Sequence, residues 1–435
     1  MKNKVFRFFY KAHVYLGLFV AVHFIVLSLS GSLLLFKDEL ESEPQVTATE
    51  QSAVPMSLSY LMTEVLHKYP GERPLALFAD EEHGEILNVR LGMNDSKMFR
   101  GARKLTYDAF TGKEIVSENK SSFLEWVLRL HREFLLGSTG KIYVGFIGLL
   151  YVFVMISGFI IYGNFAKKLA FGEIRIKSPR HWFSDLHRFL GMAVFAWGVL
   201  IGGTGFFLGV SSTLIKVYQY QELKDINAQY KDSMGTHDGL HAASILDQVV
   251  KTSEQALPDS KVDYIAFPDT QFSPPNHFLV VMVGRTPQTE RFTQLVVVDA
   301  ATGMQGEVRQ LPWYLKISLA SEPLHFGNYG GMILKITWLG FSLLSLLLPI
   351  LGLAIWARKK KKIAAGSSTE TVKLGKGSLL QSPYAVPMIL LAVTTAIMVG
   401  AFILGGVLAQ VAGWILILPL AVGLRGLWMA RGGRL

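Results

Sequence analysis

Apolar residues run almost unbroken near Val14–Phe36, Lys141–Tyr162, Phe189–Val210, Met332–Trp356, Tyr384–Leu404 and Leu408–Leu427. Each run approaches the ~20 residues with which an α-helix crosses ~30 Å of hydrocarbon. The pattern therefore predicts an α-helical integral membrane protein with six transmembrane helices. Between the runs lie two long segments of a different texture. Leu58–Lys68 has the spacing of an amphipathic helix, and Pro74–Phe78, Ile86–Leu91 and Lys104–Tyr107 read as short strands that end in the turn Asp108-Ala-Phe-Thr-Gly112. The second segment repeats the order: a helix over Ala243–Leu257, strands over Val262–Phe267, Phe278–Val283 and Gln294–Val298, then Asp299-Ala-Ala-Thr-Gly303. Two α+β modules on one plan suggest a duplication.

The predicted organisation is a first span within 1–36, an outer module over 37–130, a second span within 131–163, a loop over 164–186 and a third span within 187–210. A second outer module over 211–324, a fourth span within 325–357, a basic linker over 358–383 and a terminal hairpin over 384–435 complete it. The interval from His131 to Gly158 equals that from His325 to Gly352, and His-x-x-Leu-Gly stands at both His13–Gly17 and His187–Gly191. The core thus reads as two parallel helix-loop-helix repeats related by a pseudo-two-fold axis along the membrane normal. Gly31, Ser32, Gly145, Gly148, Gly202 and Gly203 permit close helix approach, or room for a flat ring.

A formal charge of +10 would in a soluble protein raise nucleic acid as a partner, but here the basic residues sort by loop. Lys2, Lys4, Arg7 and Lys11 precede the first run; Lys167, Lys168, Arg175, Lys177 and Arg180 link the second and third; Arg358 to Lys362 follow the fourth; Arg425, Arg431 and Arg434 close the chain. By the positive-inside rule these groups, and both termini, are cytoplasmic, and both modules lie outside. The first run is longer than a signal-peptide core and no small-x-small cleavage site follows it, so it is expected to stay as an anchor. The chain has no cysteine, which excludes disulfides, thiolate ligation and covalent haem attachment through Cys-x-x-Cys-His.

Histidine is costly at the edge of a span. One alone reads as an interfacial side chain beside lipid phosphate; His13 with His187, and His131 with His325, occupy matched levels in the two repeats. Neutral imidazoles at equal depth suit the two axial positions of a haem iron. His23, inside the first span, and His181, one short stretch before His187, are alternative candidates, and His67, His83, His237, His241 and His277 are read as solvent-facing. Met155, Met192 and Met332 could also ligate, though methionine in a span usually packs.

The motifs His13-Val-Tyr-Leu-Gly-Leu, Ser30-Gly-Ser-Leu-Leu, Leu130-His-Arg-Glu-Phe-Leu-Leu-Gly, Ile156-Ser-Gly-Phe, Leu186-His-Arg-Phe-Leu-Gly, Thr204-Gly and Pro323-Leu-His-Phe-Gly together resemble the PepSY-associated transmembrane family, over most of the chain up to Trp356. That family includes iron-regulated inner-membrane ferrisiderophore reductases. The resemblance implies PepSY-like modules on the periplasmic side and two non-covalent b-type haems, carried over onto His13, His187, His131 and His325. It further implies an oxidoreductase that passes electrons from the cytoplasmic side to ferric iron held in a siderophore. The last two spans lie outside the family's usual four-span core.

No glycine-rich dinucleotide fingerprint follows a strand, so the electron donor is expected to be a separate flavoprotein or a quinol. Rival readings are the same haem relay serving another periplasmic acceptor, and a PepSY binding or regulatory protein without redox chemistry. The lack of acidic residues within the spans argues against a proton-coupled transporter.

Overall fold

The computed structural model describes residues 2–41, 55–79, 86–99, 101–115, 122–166, 171–172, 174–175, 178–231, 239–286, 293–363, 385–404, 409–418 and 421. In chain order its elements are α1 (Lys2–Leu34), α2 (Lys37–Leu40), α3 (Leu58–Lys68), β1 (Glu72–Ala79), β2 (Ile86–Met93), β3 (Arg103–Asp108), α4 (Ser122–Glu133), α5 (Gly137–Ala166), α6 (Pro179–Ala193), α7 (Phe195–Gln229), α8 (Gly239–Ser244) and α9 (Leu246–Ala256). Then follow β4 (Ser260–Ala266), β5 (His277–Gly284), β6 (Gln294–Asp299), β7 (Gln305–Gln310), α10 (Trp313–Phe326), a 3₁₀ turn (Asn328–Gly330), α11 (Gly331–Ile363), α12 (Ala385–Leu404) and α13 (Ala409–Leu418). They divide into a helical unit of residues 1–41, 121–210 and 318–435, and a sheet unit of residues 42–120 and 211–317.

In the helical unit, α1, α5, α7 and α11 are long and apolar enough to cross a membrane. Among the described residues the apolar helices of the terminal hairpin, Met388–Ile403 and Ala409–Leu418, are shorter. Lipid offers no hydrophobic reward for bringing helices together, so close contact has to come from small residues and hydrogen bonds. Both are present. A Cβ on Gly148 would stand 2.8 Å from the Gly202 carbonyl, and one on Gly209 2.5 Å from the Gly145 Cα, so α5 and α7 touch backbone to backbone. On the opposite side Ser28 and Ser32 hydrogen-bond Ser342 at 3.0 and 2.9 Å, tying α1 to α11. Trp338, Phe341, Leu190 and Ile147 fill the space between.

Three of the four spans are preceded by a shorter helix. α4 precedes α5 through Phe134, Leu135 and Gly137, all with positive φ. α10 precedes α11 through Gly327 and Gly331, both with positive φ. At Gly327 a Cβ would lie 2.8 Å from the Trp338 ring, so both conformation and space require glycine. α6 meets α7 at Val194, a single residue off helical geometry. His131, His187 and His325 therefore sit on these short leading helices, while His13 belongs to a span.

The sheet unit departs from two separate modules. Its strands form one seven-stranded antiparallel sheet in the order β3-β2-β1-β4-β5-β6-β7, joined where Leu77 of β1 pairs with Ile265 of β4. α3, α8 and α9 cover one face, over a core that includes Met62, Leu77, Phe267, Phe278 and Val296. Each large apolar side chain buried there contributes ~1.5–3 kcal/mol. The other face of β4–β6 is covered by residues 211–229 of α7, through Tyr218, Leu223 and Ile226, with Leu311 and Leu315. The third span was expected to end at Val210; the helix instead continues for five turns, because hydropathy marks where lipid ends and not where the helix does. β7 was not anticipated either, being a polar edge strand with an alternately exposed pattern. The reading of His277 as solvent-facing is corrected: it is buried on β5, its ring 4.1 Å from that of Tyr230 and its Nε2 3.6 Å from Asp299. His83 and His237 lie outside the described residues.

The two matched turns do the same work. Asp108 accepts from the amides of Phe110 and Thr111, and Asp299 from those of Ala301 and Thr302 and from the Thr302 hydroxyl, before Gly112 and Gly303 close each turn with positive φ. Burial alone would raise both carboxyls, but these donors outweigh it and hold them below the ordinary aspartate range. Asp299→Ala is expected to cost ~1–2 kcal/mol locally and so speed amide exchange around Ala301–Met304 about 5- to 30-fold. Because the folded carboxyl is depressed, its contribution is complete above the ordinary value of ~3.9 and is lost as pH falls through the folded one. Hydrogen exchange of wild type and variant across that range measures both effects.

Candidate functional site

The helical unit brings His13 to His187 and His131 to His325. In both pairs the imidazole centroids are 6.2 Å apart, with ring planes crossing at 75° and 60°. His13 comes from α1 and His187 from α6; His131 comes from α4 and His325 from α10.

Each ring is fixed from behind by a bond at Nδ1. His13 Nδ1 is 3.0 Å from the Val154 carbonyl and 3.1 Å from the Ser157 hydroxyl, and His187 Nδ1 is 3.1 Å from the Leu348 carbonyl. A carbonyl only accepts, so Nδ1 of both rings carries the proton. His131 Nδ1 meets the Ser30 hydroxyl and His325 Nδ1 the Thr204 hydroxyl, each at 3.0 Å. Those hydroxyls donate at 2.7 Å to the carbonyls one turn back, Val26 and Leu200, so their protons are committed and their lone pairs accept from the rings. All four imidazoles are thereby set in one tautomer, with the Nε2 lone pair left over. Among the described residues no hydrogen bond shown for these four rings reaches Nε2.

Glycine makes room at each ring. A Cβ on Gly31 would lie 2.9 Å from His131 Cε1, on Gly158 3.0 Å from His13 Cε1, on Gly205 3.3 Å from His325 Cε1 and on Gly352 3.7 Å from His187 Cε1. The two halves use equivalent positions throughout: the interval from Ser30-Gly31 to Thr204-Gly205 equals that from His13 to His187, and the interval from Val154 and Gly158 to Leu348 and Gly352 equals that from His131 to His325.

A cavity of about 320 Å³ is lined by His13, His187, Gly158, Gly352, Arg180 and Trp356, among others. Below it Asp185 is buried and takes two hydrogen bonds from the Arg175 guanidinium, at 2.8 and 3.0 Å, one from the Arg175 amide and another from Arg188. Burial alone would raise this carboxyl; the two arginines hold it below the ordinary range, and the pair with Arg175 ties the middle of α6, two residues before His187, to the segment that precedes the helix. Gly31 of α1 packs on His131, so the two levels are separated by the rise from His13 to Gly31, roughly 27 Å. Between them the core is aromatic: Phe24 stacks on Tyr151 at 4.3 Å and Trp197 on Phe341 at 6.0 Å.

The remaining candidates are placed elsewhere. His23 is half-buried on α1 with both nitrogens engaged, Nδ1 with the Phe19 carbonyl at 2.9 Å and Nε2 with the Tyr143 hydroxyl at 2.7 Å. His181 is exposed on α6 and is not among the cavity's lining residues. Met155 and Met192 line the cavity as packing side chains. Ser30 and Thr204, quoted in the sequence only as parts of motifs, turn out to orient the second pair.

With metal–nitrogen bonds of about 2 Å on either side of one metal, imidazole centroids stand about 6 Å apart. Both pairs meet that distance. Among the described residues no group of three or more His, Asp or Glu gathers as a metal cage, so each pair offers two imidazole ligands without a carboxylate or third histidine beside them. That donor set fits a haem iron, whose macrocycle supplies the other four nitrogens, and does not fit a tetrahedral zinc site.

Apolar spans, a separate antiparallel sheet and histidines paired within the helical unit define a membrane protein of several apolar helices with a distinct sheet unit. The chain belongs to the PepSY-associated TM region family, whose profile matches residues 10–359; α12 and α13 lie beyond that match. Among curated proteins none matches the chain.

Proposed function

We propose that this protein is an inner-membrane oxidoreductase that carries electrons through two b-type haems from the cytoplasmic side to a ferric siderophore outside. The observation that carries the reading is the set of four imidazoles, each with Nδ1 tied to the protein and Nε2 free, opposed in pairs at 6.2 Å. Haem bound at each pair would supply a one-electron site. His13 with His187, and His131 with His325, would hold the iron; Gly158, Gly352, Gly31 and Gly205 leave room at the rings; Val154, Leu348, Ser30 and Thr204 fix their orientation.

The equal intervals between halves support an ancestral duplication, and the charge distribution supports six spans with both termini cytoplasmic and the sheet unit outside. Reduction of the ferric substrate helps release because Fe(II) binds hard oxygen donors more weakly than Fe(III). The basic residues between the second and third apolar runs and after the fourth would face an acidic donor protein or anionic lipid.

Protein purified from haem-replete cells is expected to show a Soret band and two haems per chain. After reduction by dithionite and removal of the excess, mixing with a ferric siderophore should reoxidise it, with a ferrous trap reporting product. A protein without Soret absorption would sink the haem reading. One that is reoxidised by a periplasmic redox protein or flavin but by no ferric chelate would retain the relay and lose the substrate.

A further inference from the structure

His23 and Tyr143 form a polar pair on an otherwise apolar outer surface of the helical unit. Around them Phe19, Val22, Ile142 and Phe146 are each 47–61% exposed, and Tyr143 itself is 37% exposed, so this surface faces lipid. A histidine and a tyrosine there are expensive unless they serve a purpose. Their hydrogen bonding is ordered. The Phe19 carbonyl, 2.9 Å away, can only accept, so His23 Nδ1 carries the ring proton and Nε2 accepts the Tyr143 hydroxyl at 2.7 Å. Aromatic rings flank the pair, with Phe19 5.0 Å and Phe134 5.8 Å from the imidazole centroid. Phe134 and Leu135 hold this wall in left-handed backbone, which non-glycine residues rarely adopt.

We infer that His23 and Tyr143 bind the headgroup of a membrane quinol or quinone. The chemistry is complementary. A quinol hydroxyl donates to His23 Nε2 in place of Tyr143, the released tyrosine hydroxyl donates to an oxygen of the ligand, and Phe19 and Phe134 pack against the ring while its tail stays in lipid. By helix rise His23 lies about 15 Å from the level of His13 and about 12 Å from that of Gly31 and His131. A two-electron carrier bound there stands between two one-electron sites. Its place between the two levels rests on the relay proposed above, but the binding itself requires no haem.

The test is photolabelling of the full chain in lipid nanodiscs with a short-tailed azidoquinone, mapped by peptide mass spectrometry, with haem content measured on the same samples. Labelling is expected on α1 near Phe19–Phe24 and on α5 near Tyr143, competed by unlabelled quinone. Tyr143→Phe and His23→Gln, which preserve shape, should each weaken it about tenfold, the effect of one lost hydrogen bond in a dry site. Labelling elsewhere, or equal labelling in both variants, overturns the inference. Specific labelling of protein that binds no haem would leave the quinone site standing and remove the relay, whereas two haems without specific labelling would do the reverse.

Discussion

Replacing either His131 or His325 by alanine is expected, on the proposed two-haem reading, to remove one and the same haem and lower the content to one per chain, and His13→Ala or His187→Ala should remove the other. The pairing follows from geometry. Within each pair the rings are 6.2 Å apart, while the two levels are roughly 27 Å apart, so no ring can substitute for a lost partner across the bundle. Without one of its two imidazoles the haem proposed for that pair would keep a single protein ligand, so a weakly held haem with a changed spectrum is the mildest expected outcome and complete loss the more severe one. Combining both substitutions of one pair should add little to either alone, because the first already dismantles that site, whereas one substitution from each pair should leave no low-spin haem. Pyridine haemochrome quantification with low-temperature spectra of the four single and two kinds of double variant reads this directly. Losses that pair His13 with His131, or His187 with His325, would overturn the assignment.

The matched intervals in the chain were enough to put His13 with His187 and His131 with His325, because a repeat places equivalent residues at equivalent depth whatever the details of packing. α3 was legible to the residue, its amphipathic pattern being confined to one turn-bounded segment. What the chain concealed has physical causes. The continuation of α7 past Val210 is amphipathic and too polar to register as a span, and β7 is an edge strand with no buried face to alternate. The burial of His277 depends on Tyr230 and Asp299, neighbours that only the sheet and α7 bring together. The joining of two modules into one sheet rests on backbone pairing between β1 and β4, which leaves no mark on side-chain type. His23 was a ligand candidate by depth alone; its direction around α1, toward Tyr143, is a matter of helix phase that a hydropathy profile does not carry.

The support behind the histidines followed the same division. The Val154 and Leu348 carbonyls are main-chain atoms and leave no signature, but the hydroxyl-glycine pairs Ser30-Gly31 and Thr204-Gly205 did, repeating at the interval of His13 and His187. That difference between the levels has a measurable consequence. Ser30→Ala removes the hydroxyl that accepts from His131 Nδ1, and Thr204→Val the one that accepts from His325 Nδ1 while keeping the side chain's volume, which leaves the Leu27 and Ile201 carbonyls as the acceptors beside those rings. The freed N–H must then turn toward that carbonyl, and the rotation withdraws Nε2 from its partner. A metal-ligating imidazole that loses such a partner typically binds 10- to 100-fold more weakly. Haem at the His131–His325 level should therefore dissociate 10- to 100-fold more readily in each variant, as followed by transfer to an apo-globin acceptor, and its reduction potential should move because the ligand is less basic. The His13–His187 level, where neither Ser30 nor Thr204 takes part and the rings bond the Val154 and Leu348 carbonyls and, for His13, the Ser157 hydroxyl, should keep its spectrum and potential. If both levels loosened together, the hydroxyls would be acting on helix packing at large, and the division of the four rings into independently oriented pairs would fall.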